Sequence, residues 1–276
     1  MVLKKSHAGF YKILEGVVKL KEVKLIVTDL DGTFLTDNKQ ISEYTAEIMN
    51  KVKEKGIYTA FAMARPKRST AKVREMFEPD FIIDNNGATI YFGKICRKSI
   101  AIEKEAAREM IKEFQSDGKI KGISIETGRG LLTNYTDNSW DREGWNSNYQ
   151  DFSKGFDMET PKISFECEDV DIIRKLVERF PDLHMYPNHG EHWIQIMDKS
   201  STKLNGIKYI CDEMGIGLEE VICFGNDYND VEMLKFCGVG VAVENALDEA
   251  KQAADYVCKS NNEDGVAQWI EENILK

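Results

Sequence analysis

The stretch KLIVTDLDGTFL, residues 24–35, decides how the rest of the chain is read. Leu25, Ile26, Val27 and Thr28 form a short apolar and β-branched run of the kind that makes a buried strand. It ends on Asp29 and Asp31, two carboxylates one residue apart, followed by Gly32 and Thr33. An unpaired charge is expensive to bury, so a strand that runs into two acids needs something to neutralise them.

The surrounding pattern says what kind of sheet this strand joins. Helical periodicity over Ser42 to Lys55, closed by Gly56, separates it from a second strand at Ile57 to Met63. A helix over Ser69 to Phe77 and a third strand at Phe81 to Ile83 follow, before Asp84, Asn85, Asn86 and Gly87. The same rhythm returns from Thr202, with a helix to Met214, strands at Val221 to Phe224 and Val239 to Val243, and helix to the end. Short apolar strands alternating with helices predict a Rossmann-like, doubly wound parallel α/β sheet covered on both faces. Between the two halves the character changes. A hairpin is expected from Thr89 to Ile100 around Gly93, then a helix over Glu103 to Gln115 and strands near 119–126, 131–135, 162–166, 184 and 192–197. The expected organisation is a core of 24–86 and 195–276 interrupted by an α+β insert at 87–194. An N-terminal extension, 1–23, carries Phe10, Ile13, Leu14, Val17 and Val18 at helical spacing.

Composition narrows the function. The chain has 276 residues, 42% hydrophobic and 30% charged, the balance of a soluble globular protein. No apolar run approaches the length of a membrane span, no signal-peptide pattern stands at the N-terminus, and the expected address is the cytoplasm. A net charge of −10 argues against a nucleic-acid partner. The six cysteines lack zinc or redox spacing and are read as buried thiols. The four histidines form no convincing metal set.

In an open parallel sheet the loops at the carboxyl ends of the strands meet at one crevice. Asp29 and Asp31 leave the first strand there, Met63, Ala64 and Arg65 the second, and Asn226, Asp227, Asn229 and Asp230 a later one. Acids gathered at one edge repel unless a cation joins them. Mg²⁺ prefers oxygen ligands and typically links one or two carboxylates to a phosphate. Those are the grounds for expecting Mg²⁺ and a phosphorylated ligand.

DLDGTFL (29–35), the lysine of SSTKLNGIKYI (200–210) and the turn FGNDYNDVEML (224–234), in that order, resemble the haloacid dehalogenase superfamily, specifically its Cof-type phosphatases. The likeness spans 24–276, and the insert lies where that family carries a C2-type cap. The resemblance implies a Mg²⁺-dependent phosphatase of small phosphorylated metabolites, a sugar phosphate or a phosphorylated cofactor. It implies Asp29 as a nucleophile that becomes an aspartyl-phosphate, and Asp31 as acid and then base. Mg²⁺ would be held by Asp29, the carbonyl of Asp31 and a ligand from the late turn, either Asn226 or Asp227. Lys203 would balance phosphoryl charge, and Asn229 would touch the phosphate or the turn around it. The cap would exclude water and read the rest of the substrate, with 140–149 and 184–193 as aromatic-rich candidates. A monomer or homodimer is expected.

Two departures stand out. Met63 occupies the place of a phosphate-binding Ser or Thr, leaving the backbone amides of Met63 and Ala64 to bind. Asn226 occupies the place of an Asp, predicting a weaker metal site. They leave open a catalytically weak binding or regulatory module, or a phosphomutase.

Overall fold

The computed structural model describes residues 22–116, 120–135, 146–187 and 192–276, together with the backbone of 5–6 and 9–10. Those last four residues form two short antiparallel strands, β1 (Lys5–Ser6) and β2 (Gly9–Phe10). Phe10, the first residue of the helical spacing in the N-terminal extension, lies in β2, and Ile13, Leu14, Val17 and Val18 lie outside the described residues.

The run Leu25–Thr28 is strand β3, buried along its whole length. Ser42 caps helix α1 (Glu43–Glu54) by accepting a hydrogen bond from the Thr45 amide. Gly56, at φ +78, turns the chain into β4 (Tyr58–Ala62). Helix α2 (Ala71–Met76), β5 (Phe81–Asp84), β6 (Thr89–Phe92) and β7 (Ile95–Ser99) follow. The insert then contributes α3 (Lys104–Ser116), β8 (Ile120–Glu126), β9 (Leu131–Thr133), β10 (Ser147–Tyr149), β11 (Lys162–Cys167), α4 (Val170–Val177), β12 (Leu183–Pro187) and β13 (Trp193–Asp198). Helix α5 (Lys203–Met214) starts at the Thr202 cap and stops at Gly215, φ +65. After it come β14 (Val221–Gly225), α6 (Val231–Phe236), β15 (Val239–Val243), α7 (Asp248–Ala253), β16 (Tyr256–Cys258) and α8 (Gly265–Ile270).

The chain divides into two units. One takes in the described residues up to Ala64, Ala71–Arg97 and Thr202–Lys276; the other is Arg65–Thr70 with Lys98–Ser201. The first unit holds an eight-stranded sheet in the order β16-β15-β14-β3-β4-β5-β6-β7. β16 through β5 run parallel, and β6 adds antiparallel to β5. The expected hairpin thus extends the core sheet instead of opening the insert, and the first unit runs to Arg97, not 86. It resumes at Thr202, not 195, because β13 pairs with β11 and β12 in the second unit. Alternate residues of β3 serve opposite faces: Ile26 joins one apolar cluster with Phe61, Ile82 and Phe224, while Leu25 and Val27 join another with Ala60, Ile83 and Ile207. Burial on both faces is what a parallel sheet requires.

The second unit is a six-stranded sheet, β10-β9-β8-β11-β13-β12, antiparallel except for the β9–β10 pair. It has its own core around Phe114, Phe165 and Ile196. Arg68 belongs here through a two-pronged ion pair with the buried Glu126, at 2.5 and 2.7 Å. No helix among the described residues is long and apolar enough to cross a membrane. Of the aromatic-rich segments, 140–145 and 188–191 lie outside the described residues.

Candidate active site

Strand order places the site. From β3 the chain winds one way through β4 and β5, and on its return it winds the other way through β14, β15 and β16. The reversal falls between β3 and β14, and open α/β sheets bind ligands at the carboxyl end of that junction. Asp29 and Asn226 are the residues that leave these two strands. The Asp29 amide still donates to the Phe224 carbonyl at 2.9 Å, so its side chain is set by the last rung of the sheet.

Asp29 is only 6% exposed. Its Oδ1 accepts from Lys203 Nζ at 2.6 Å, while its Oδ2 is buried without a hydrogen-bond partner. Lys203, 1% exposed, is the first residue of α5, and its Nζ also donates to Asp230 Oδ1 at 2.6 Å. Asp230 is fully buried and its Oδ2 accepts from the amides of Asn226 (2.8 Å) and Asp227 (3.1 Å). One lysine thus faces two buried carboxylates, leaving a net negative charge. Burial pushes the Asp29 carboxyl up to about 7; Lys203 pulls the other way, and Asp230 and Asp31 add to the rise. For Lys203, burial disfavours the charge, yet the attraction and hydrogen bonds of Asp230 and Asp29 hold it above the ordinary lysine range.

Asp31 stands apart from this cluster. Its side chain is 41% exposed and pairs with Lys39 at 2.8 Å. Gly32, at φ +78, bends the loop so closely that a Cβ would lie 2.7 Å from Asn226 Nδ2. Thr33 Oγ1 donates to Asn226 Oδ1 at 2.9 Å. The Asn226 side chain therefore packs on the loop that carries Asp31. Asp227 does not: its Oδ1 accepts from the Tyr228 amide at 2.7 Å and caps the short turn Tyr228–Asp230.

Met63 does not reach the site as a ligand. Its side chain is buried in the apolar core, its amide donates to the Ile83 carbonyl, and its carbonyl accepts from the Asn86 amide, both at 2.9 Å. The expectation that the Met63 amide would take a phosphate fails because the continuation of the β4–β5 ladder engages it. Ala64 is half-buried just beyond β4. Asn229 Nδ2 donates to Asn86 Oδ1 at 2.9 Å, and Asn229 Oδ1 is buried without a partner.

For two residues at the site the sequence does not show the partner. Asp230 was visible as the last acid of GNDYND, but its link to Lys203 spans 27 positions and exists only after folding. Asn85 and Asn86 before Gly87 fit turn chemistry and a substrate-facing place equally well from sequence, and neither reading gives the bond to Asn229. Here Asn85 and Asn86 both adopt left-handed backbone, at φ 45 and 52, and Gly87 sits at φ 101. A Cβ on Gly87 would lie 2.2 Å from the Thr202 carbonyl, at the cap of the Lys203 helix. Gly87→Ala is expected to lower stability in urea unfolding by at least about 2 kcal/mol. Gly93→Ala, at φ +57 with no atom within 4 Å, should lose only the left-handed penalty of about 1 kcal/mol. Equal losses would mean the Thr202 contact is unimportant.

The residues from 26 to 270 match the model of the haloacid dehalogenase-like hydrolases. The chain belongs to the haloacid dehalogenase-like hydrolases. A 5-amino-6-(5-phospho-D-ribitylamino)uracil phosphatase of Bacillus subtilis, YitU, is 29% identical over 90% of this chain and 96% of its own length. A second of that name, YcsE of the same organism, is 26% identical over 92% and 97%. A haloacid dehalogenase-like hydrolase structure from Bacteroides thetaiotaomicron superposes with a TM-score of 0.80, at 27% identity over 91% of this chain and 99% of that one. Both compared lengths agree, so the insert is shared and not peculiar to this chain.

The donor chemistry of the hydrolase site suits a hard cation. Asp29 Oδ2 is an unpartnered buried carboxylate oxygen, and the Asn226 amide oxygen lies on the adjoining loop. Among the described residues no three His, Cys, Asp or Glu side chains gather as a ligand set.

Proposed function

We propose that this hydrolase is a Mg²⁺-dependent phosphatase of small phosphorylated metabolites, with Asp29 as nucleophile. The observation that carries the reading is the Asp29 carboxylate itself, buried at the strand reversal, with one oxygen held by Lys203 and the other unpartnered. Mg²⁺ bound by Asp29, Asn226 and the carbonyl of Asp31 would supply charge neutralisation for a dianionic phosphoryl group.

The Asp29 carboxylate attacks phosphorus as the bond to the ester oxygen breaks, and Asp31 delivers its proton to that leaving oxygen. Asp31, now a carboxylate, takes a proton from water as the water attacks the phosphoryl-Asp29. Inorganic phosphate leaves and Asp29 is regenerated. Asp31 has to leave Lys39 to do this, and its exposed position leaves it room. Lys203 holds the Asp29 carboxylate in place through its bond to Oδ1 and offsets part of the charge there. Asp227 serves by shaping the turn, and Asn229 by anchoring it.

The names of the Bacillus relatives, phosphatases of a small phosphoribityl-bearing compound, support a small phosphorylated metabolite as the substrate. The proposed substrate is a sugar phosphate or phosphorylated cofactor, handled by a cytoplasmic monomer or homodimer. The choice among such esters is proposed to fall to the insert, as the resemblance to capped family members implies. Phosphate release from a panel of small esters and a phosphopeptide, with and without Mg²⁺, tests the reading. Release that needs Mg²⁺ and favours a small ester is expected; release unaffected by chelator, or fastest on the peptide, would sink it.

Metal affinity gives a sharper check. Binding needs ionised Asp29, so Mg²⁺ affinity should weaken as pH falls through about 7, by about tenfold from pH 8 to pH 6. Asn226→Asp adds a charged oxygen and should tighten Mg²⁺ about tenfold in calorimetric titration. Unchanged affinity in that variant would take Asn226 out of the ligand set.

A further inference from the structure

We propose that Asn86 is a positioning residue for the phosphoryl site, acting through Asn229; the inference rests on the phosphatase reading above. Three observations converge on it. The side chain is 3% exposed, and its Oδ1 accepts from Asn229 Nδ2, which ties the Asn226–Asp230 turn to the segment after β5. Its amide donates to the Met63 carbonyl, tying the same segment to the end of β4. The next residue, Gly87, lies against the Thr202 carbonyl at the cap of the helix that begins with Lys203. One short turn therefore braces the end of β4, the late turn and the lysine helix at once.

The backbone of that turn is unusual in the way functional segments are. Two consecutive non-glycine residues hold left-handed φ values, a conformation that costs free energy and persists only where the surroundings enforce it. Asn tolerates it better than most side chains. A turn needing only the backbone shape would be served by Gly at less strain. The Asn side chain adds the bond to Asn229. Two buried acceptors, Asn85 Oδ1 and Asn229 Oδ1, are left without partners beside it. Unpartnered buried acceptors in a native fold call for an explanation, and a ligand or its water supplies one.

Asn86→Gly separates the bond from the shape, because Gly keeps the left-handed backbone. Turnover of p-nitrophenyl phosphate and calorimetric binding of inorganic phosphate, both with Mg²⁺, are compared for wild type, Asn86→Gly, Asn229→Ala and the double variant. Asn86→Gly is expected to lose about five- to tenfold in kcat/KM and in phosphate affinity, with an unchanged melting temperature. Acting through Asn229, it should add nothing in the Asn229→Ala background. Activity and binding within twofold of wild type, or losses that multiply in the double variant, overturn the inference. If wild type binds phosphate without turnover and the binding losses coincide, the positioning role stands and the phosphatase reading falls. A wild type that neither turns over the ester nor binds phosphate overturns both.

Discussion

Asp29→Asn should reduce phosphate release at least about a thousandfold and leave the fold intact. An amide is a poor nucleophile, yet it has nearly the shape of a carboxylate, so the β3–β14 junction keeps its packing. The same variant should also show itself in stability without metal. The Asp29 carboxyl sits at about 7 in the folded chain, above the ordinary value of 3.8. Between roughly pH 4 and 7 the native state therefore holds a proton that the unfolded state has released, and stability falls as pH rises through that window. The amide that replaces the carboxyl does not titrate. In EDTA the variant should gain on wild type in melting temperature from pH 5 to pH 8, and Mg²⁺ at pH 8 should raise wild type alone. Parallel pH profiles would show that Asp29 is not the strained carboxylate described here, and retained turnover would remove it as nucleophile.

Lys203→Met is expected to have the largest effect on folding. It removes the cation from between Asp29 and Asp230, which are 6% and 0% exposed, and leaves two carboxylates facing each other in the interior. Breaking a buried pair by deleting one partner typically costs about 3–5 kcal/mol. Urea unfolding at pH 8 should show a loss of about that size, together with loss of turnover. Without the lysine, a proton taken up by the pair relieves the repulsion in the folded state, so the missing stability returns as pH falls toward 5. A loss below about 1 kcal/mol, or one that does not change with pH, would mean that the lysine is not the counter-charge of the site.

The physical reasons for both effects were unequally legible in the sequence. β3, α1 and α5 could be read because their signals are local: an apolar run, Ser42 and Thr202 caps, and Gly56 and Gly215 stops within a few residues. Asp29 stood out because a buried strand has no local reason to end on two acids. The hairpin Thr89–Ser99 was recognisable as a hairpin, yet the sheet it joins depends on β5 pairing with β6, a choice made by packing.

At the site the division is sharper. Strand and helix pattern by themselves determined the α/β class and the carboxyl-edge position of Asp29, Asp31 and the 225–230 turn, and the family resemblance implied Lys203 beside them. Only tertiary structure decided which of these groups meet. It put Lys203 between Asp29 and Asp230, turned Asn226 onto the Gly32 loop and Asp227 away from it, and engaged the Met63 amide in the sheet. It also made Asn86 a brace for Asn229 across 143 positions. Local sequence sets backbone preference and which residues are buried. Partners far apart in the chain are chosen by the free energy of pairing buried charges and amides, which exists only once the sheet has brought them together.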